Sequence, residues 1–151
     1  MRRLLLLFLL LAQPVIASPR VVTSIMPLGA ILADVMEGVG APKVLVSAAQ
    51  SPHDYSRRPS AARALAEAEL VVWIGPALEA FLVKPLASLA SVSLVVGFAD
   101  DPDLRHWEWR GEDGHHDHGH GVTEHDPHLW LSTANAAEIA RRAGRVLADL
   151  D

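Results

Sequence analysis

Two short motifs, far apart in the sequence, each place a histidine beside aspartate and proline. His53 lies in residues 51–55 (SPHDY), and His128 lies in residues 125–131 (HDPHLWL). Neutral imidazole is the commonest metal ligand in proteins, and two histidines would fill half of the tetrahedral shell that zinc prefers. The chain contains no cysteine, so a metal site must use histidine or carboxylate side chains. We therefore interpret His53 and His128 as ligands of one metal ion.

An aspartate stands close to each of these histidines. Asp54 follows His53 directly, and Asp126 precedes His128 by two positions. A carboxylate that accepts the second ring N–H orients a metal-binding imidazole, which is the role we predict for both aspartates. A single histidine is more often an ordinary surface or core residue, so spacing alone leaves that alternative open.

A tract of histidine, aspartate and glycine precedes the second motif, at residues 114–121 (GHHDHGHG). The histidines of the tract, with the one that lies four residues after it, are His115, His116, His118, His120 and His125. Such a composition cannot pack a core and is typical of metal binding, although a solvated linker or an embedded tag is the alternative. Flexible ligands lose entropy on ordering, so we predict weak, accessory metal binding here.

Length and charge limit the class of protein. The chain has 151 residues, 50% of them hydrophobic, and a formal net charge of −5. This is enough for one ordinary domain with a real core. Its arginines form no basic stripe interleaved with aromatic residues, so we predict no nucleic-acid partner.

The N-terminus has the pattern of a secretory signal. Arg2 and Arg3 precede an apolar run at residues 4–12, and small residues at 15–17 form a cleavage site. The alternative is a membrane anchor, but the run falls short of the about 20 residues that span a bilayer. We predict that residues 1–17 are removed and that the mature protein is periplasmic.

Alternating short strands and helices must position the histidines. Apolar runs predict strands at residues 21–25, 44–46, 70–74 and 92–96. Helical spacing predicts a helix from Pro27 that includes Val39, a helix from Pro59, and a helix from Leu78 to Leu89 that Pro85 kinks or restarts. Residues 98–125 are not periodic, and a last helix, capped by Ser132 or Thr133, continues to Leu150.

This alternation predicts an α/β fold, a parallel β-sheet flanked by helices. Ligands of such sheets bind outside the carboxyl ends of the strands. The loop that holds His53 follows the second strand, and His128 comes just before the last helix. Both histidines can therefore reach the same edge, where Trp130 would pack behind them and shield the ion from water.

Three motifs and the tract together resemble one known family. The motifs are residues 51–60 (SPHDYSRRPS), 70–81 (LVVWIGPALEAF) and 126–132 (DPHLWLS). In this order they resemble the zinc-specific substrate-binding proteins of bacterial metal ABC transporters, the ZnuA type. The resemblance covers nearly all of the chain after the signal.

The resemblance implies a two-lobed protein that captures zinc in the periplasm and delivers it to an ABC permease. It implies that residues 18–131 are the N-terminal lobe, with a flexible loop at about 111–125, and that residues 132–151 begin a long interlobe helix. His53 and His128 match the two histidine ligands of that lobe. The other ligands come from a second lobe, which is missing here.

The chain departs from the family pattern at two positions. Pro52 stands where some relatives have an acidic residue, so that carboxylate is not available, and Thr133 stands where relatives often have proline. A manganese-binding branch shares the motif at 126–128, but the tract and Leu129-Trp130 favour zinc.

Two other classes of protein remain as alternatives. A zinc hydrolase would need a general base and a motif such as HExxH, which the sequence lacks, so we predict that the protein is not an enzyme. A stand-alone periplasmic zinc buffer would use the lobe and the tract without a second lobe.

Overall fold

Four short strands, β1 (Val21–Ile25), β2 (Lys43–Val46), β3 (Leu70–Trp73) and β4 (Leu94–Gly97), form one sheet. The order is β2-β1-β3-β4, and every neighbouring pair is parallel. The computed structural model describes residues 18–52, 55, 58–89, 93–108 and 125–150. The predicted signal at residues 1–17 lies outside them.

Four α-helices flank the sheet: α1 (Met26–Val35), α2 (Pro59–Glu67), α3 (Ala80–Leu89) and α4 (Thr133–Ala148). A short 3₁₀ helix, Leu129–Leu131, precedes α4. The chain passes from β1 to β2 in one direction and then crosses back to β3, so α1 and α2 belong to opposite faces. Accordingly α1 contacts α4, and α2 contacts α3. The predicted α/β class, a parallel sheet between helices, is confirmed.

The two central strands explain why the sheet forms the core. Every residue of β1 is buried, and Leu70, Val71 and Val72 of β3 are at most 1% exposed. Strands with apolar residues on both faces are typical of a parallel sheet covered on both sides. Leu28 and Leu32 of α1 are fully buried and belong to the same core.

Helices α1, α2 and α4 begin within one residue of the predicted positions, whereas α3 begins at Ala80, two residues later than predicted. Proline occupies the first turn of α1 and of α2, where its missing N–H costs no hydrogen bond. The side chain of Ser132 caps α4 by accepting a hydrogen bond from the backbone N–H of Asn135. The cap fixes the direction in which the chain enters α4, directly after the 3₁₀ helix.

Several predicted boundaries are wrong. Helix α1 ends at Val35, and Val39 is 53% exposed, because Gly38 in the following turn adopts a left-handed φ of +81°. Helix α3 continues through Pro85, which therefore does not restart it. Strand β4 begins at Leu94, two residues later than predicted.

The last helix also differs from its prediction. Helix α4 ends at Ala148, because Asp149 forms its C-cap and Leu150 lies in a turn. Helical spacing of apolar residues predicts a helix face but does not determine where the final turn ends. No helix in the described ranges is long and apolar enough to cross a membrane.

The non-periodic segment after β4 is partly packed. Phe98 is fully buried, Leu104 is 5% exposed, and the carboxylate of Asp101 is buried against Arg142 of α4 at 3.1 Å. Residues 98–108 thus belong to the folded body although their sequence has no period. Much of the predicted flexible loop, residues 111–124, lies outside the described ranges.

Candidate metal site

An open pocket lies at the carboxyl edge of the sheet. It has a volume of about 260 Å³ and includes Ile25 at the end of β1, Val46 at the end of β2, and Pro52, His128 and Trp130. We call it the edge pocket. Because the crossover direction reverses between β1 and β3, this edge is where an open α/β sheet binds its ligands.

Asp126 fixes the ring of His128 in the edge pocket. The Nδ1 atom of His128 lies 2.6 Å from Oδ1 of Asp126, and the same oxygen accepts the backbone N–H of His128 at 2.9 Å. An ionised carboxylate can only accept hydrogen bonds, so Nδ1 carries the proton and Nε2 is the nitrogen suited to a metal ion. The predicted contact between Asp126 and His128 is therefore present.

The segment before His128 is anchored in turn. The backbone N–H of Asp126 donates to the carbonyl oxygen of Trp107 at 2.8 Å. One step earlier, His125 and Glu108 form an isolated antiparallel bridge. These contacts hold the chain that carries the Asp126–His128 pair against the segment that follows β4.

Asn135, which sequence analysis missed, ties the 3₁₀ helix to that same segment. Its side chain is buried. The amide oxygen accepts a hydrogen bond from the backbone N–H of Arg105 at 3.0 Å. The amide nitrogen donates to the carbonyl oxygens of Arg105 and Leu129 at 2.9 and 3.1 Å. The sequence around Asn135, a helix rich in small residues, contains no signal that predicts this role. Two of its three hydrogen bonds hold Arg105, and the third holds Leu129, the residue next to His128.

Trp130 contacts the predicted ligand edge-on. The ring centroids of His128 and Trp130 are 5.3 Å apart, with the planes 61° from parallel. Trp130 is half-buried and lines the edge pocket. The predicted contact of Trp130 with the site is present, and its shielding of a bound ion from water stays a prediction.

Glu79 is a second residue that sequence analysis missed. It is fully buried, at the junction between β3 and α3. One carboxylate oxygen accepts the backbone N–H of Gly75 at 2.8 Å, and the other accepts from the Ile74 N–H at 3.3 Å and from the Ser24 hydroxyl. The signal that could have revealed it is an acidic residue inside an apolar run.

Burial is the main cause of the shift in the pKa of Glu79. Desolvation raises the pKa of Glu79, whereas the hydrogen bonds from Gly75, Ser24 and Ile74 oppose that rise. The carboxyl joins the ends of β1 and β3 immediately beside Leu78, which lines the edge pocket. Glu79 therefore belongs to the scaffold of the pocket edge.

His53 is the second histidine that the sequence predicts as a ligand of the ion. His53 and Asp54 lie outside the described residues. On one side of them Pro52 lines the edge pocket, and on the other Tyr55 is 8% exposed and packs its ring 4.7 Å from that of Phe81. His53 as a ligand, and Asp54 as its partner, stay predictions.

The structure describes one of the five accessory ligands that the sequence predicts. His115, His116, His118 and His120 lie outside the described residues, whereas His125 is described and exposed. Among the described residues, no group of three or more histidine, aspartate or glutamate side chains forms a ready metal cage. The structure describes one candidate ligand in the edge pocket, His128.

The sequence relatives are zinc-uptake proteins. Residues 21–151 match the family described as "Zinc-uptake complex component A periplasmic". The high-affinity zinc uptake system protein ZnuA of Yersinia pestis is 43% identical over 154 residues, covering 87% of this chain and 47% of that protein. ZnuA of Brucella abortus is 43% identical over 160 residues, covering 82% and 48%.

A solved structure agrees with this relationship. A zinc-bound ZnuA deletion mutant superimposes with a TM-score of 0.67 at 25% identity, covering 86% of this chain and 46% of that one. The chain thus spans about half the length of the relatives it matches. By the extent of the family match and the identity to these relatives, the chain belongs to the family of periplasmic component A of zinc-uptake complexes.

Proposed function

We propose that the protein captures zinc in the periplasm and hands it to an ABC permease for uptake. The observation that carries this proposal is the Asp126–His128 pair, 2.6 Å apart, which presents an oriented imidazole at the ligand-binding edge of the sheet. The relatives named for high-affinity zinc uptake supply the choice of metal.

His53 is the second ligand in this proposal. It directly follows Pro52, which lines the same pocket as His128. With two histidines from this part of the protein, a tetrahedral ion still needs two further ligands. We assign these to the second lobe, so that zinc is enclosed between two lobes joined by the helix that begins as α4.

The bound zinc is cargo, and the protein is not an enzyme. Side chains that hold the ion without activating a water molecule suit capture and release. Export through the predicted signal at residues 1–17 would bring the protein to the periplasm, where the permease can receive the ion. The tract at residues 114–121 would gather zinc weakly around the site.

Growth under zinc limitation tests this function. In a strain that lacks its own zinc-binding component, the complete protein should restore growth in the presence of a zinc chelator, and added zinc but not manganese should make it dispensable. His128→Ala should not restore growth, because it removes a bond to the ion.

The control is Lys84→Ala, which changes an exposed side chain of α3 away from the edge pocket and should restore growth fully. Equal growth with His128→Ala and with the unaltered protein, at equal protein levels, would contradict the proposal.

A further inference from the structure

Two histidines outside the edge pocket lie against each other. The ring centroids of His106 and His125 are 5.5 Å apart, and the ring planes are tilted by 45°. His106 is half-buried and His125 is exposed, so the pair is open to solvent. His106 stands in no motif, and sequence analysis gave it no role.

Backbone contacts hold the two histidines together. Glu108 and His125 form an antiparallel bridge, and the N–H of Asp126 donates to the carbonyl of Trp107 at 2.8 Å. These contacts join the two ends of the segment that contains the histidine tract. The pair therefore lies at the base of that segment, on backbone that is already fixed.

A hydrogen bond sets the ring nitrogen that His106 offers. Its Nε2 atom lies 2.9 Å from the carbonyl oxygen of Asp101. A carbonyl only accepts, so Nε2 donates and Nδ1 of the neutral ring carries the lone pair. Metal-binding histidines characteristically donate their second N–H to a carbonyl or carboxylate in this way.

The anchor of His106 is rigid. The Asp101 side chain accepts the backbone N–H of Asp103 at 3.0 Å and pairs with Arg142 of α4 at 3.1 Å. Asp101 is only 4% exposed. The carbonyl that orients His106 thus belongs to the packed body of the domain.

The ring separation suits one shared ion. Zinc binds histidine nitrogen at about 2.0–2.1 Å, so two imidazoles on one tetrahedral ion have centroids about 5 Å apart. The observed 5.5 Å needs only a small movement of the exposed His125 ring.

We propose that His106 and His125 form a second zinc site, outside the edge pocket and weaker than the cleft site. The two imidazoles supply two ligands, and water completes the shell. This site does not depend on the proposed transport function, since it requires neither His53 nor His128. It would hold ions on a fixed support three residues before His128.

The test separates this pair from the tract. In the complete protein, deletion of residues 114–121 removes four tract histidines and leaves both members of the pair. Calorimetric titration of this variant with zinc should show the tight equivalent and one weaker equivalent. Adding His106→Gln should abolish the weaker equivalent and spare the tight one.

Glutamine is the informative replacement because its amide can still donate to the Asp101 carbonyl while offering no ring nitrogen. His125→Gln should cause the same loss. Arg105→Gln, a change at the exposed neighbouring position, is the matched control and should keep the weaker equivalent.

Two results would overturn the second site. One is a weaker equivalent that persists after His106→Gln, and the other is its absence from the deletion variant. Loss of the tight equivalent from every variant would instead argue against the proposed transport function, so the two failures can be told apart.

Discussion

Removing the carboxylate of Asp126 should weaken zinc binding without removing a ligand. Its Oδ1 atom accepts from Nδ1 of His128 at 2.6 Å and from the backbone N–H of His128 at 2.9 Å. Asp126→Ala deletes both contacts and leaves the imidazole free to rotate and to change tautomer. The zinc-binding nitrogen would then be correctly placed for only part of the time.

The magnitude follows from the chemistry of such partners. Loss of the group that orients a metal-binding histidine costs about 10–100-fold in metal affinity. The Asp126 side chain is 40% exposed, so water can replace part of its interaction, and we expect the lower part of that range. A loss of about tenfold corresponds to about 1.4 kcal/mol of binding free energy.

Asp126→Asn distinguishes charge from geometry. The asparagine oxygen can still accept from the ring N–H but carries no charge, so the loss should be smaller than for alanine. The assay is competition for zinc with a chelator of known affinity, using the complete protein. Thermal melting in metal-free buffer shows whether a variant is folded.

The control is Asp34→Asn, an exposed aspartate on α1, which should bind zinc like the unaltered protein. A folded Asp126→Ala variant that binds zinc within about twofold of the unaltered protein would refute the reasoning, because an orienting partner is worth more than that.

Two further predictions concern the scaffold of the site. Glu79→Ala should lower the free energy of unfolding by at least about 3 kcal/mol, since it strips three donors of their acceptor. Burial raises the pKa of Glu79, so the folded state binds the carboxyl proton more tightly than the unfolded state does. The stability gained from this proton is complete at a pH below the ordinary pKa of glutamate. It is lost as the pH rises through the raised pKa of the folded state. Urea unfolding should show this loss in the unaltered protein and not in Glu79→Gln, and identical pH profiles would contradict it. Asn135→Ala should cost about 1–3 kcal/mol through the unpaired Arg105 and Leu129 groups, whereas Thr133→Ala, at an exposed position of α4, should cost less; equal melting temperatures would contradict that role.

The strands and the parallel sheet could be predicted because burial on both faces leaves a strong sequence signal. The run at Leu70–Trp73 is wholly apolar, and its first three residues are buried. Val21–Ile25 is fully buried although it includes Thr23 and Ser24. Boundaries were less predictable, as the later start of β4 and the uninterrupted α3 show. Packing against the sheet, which local sequence does not encode, decides where these elements begin and end.

The candidate site was predictable where its partners are neighbours in sequence. Asp126 lies two residues from His128, so the motif itself indicated their contact. The roles of Glu79 and His106 depend on residues 55 positions away at Ser24 and 19 positions away at His125. Such pairings arise only when the sheet and the segment after β4 bring distant parts of the chain together.

The most direct measurement is a zinc titration of the complete protein that compares His53→Ala and His128→Ala with the unaltered chain. Each change should lower the affinity of the tight site by orders of magnitude, because each histidine supplies one bond to the ion. His106→Gln, which spares both proposed ligands, should leave the tight affinity unchanged. Tight one-to-one binding that survives in folded His53→Ala or His128→Ala would contradict the proposed site.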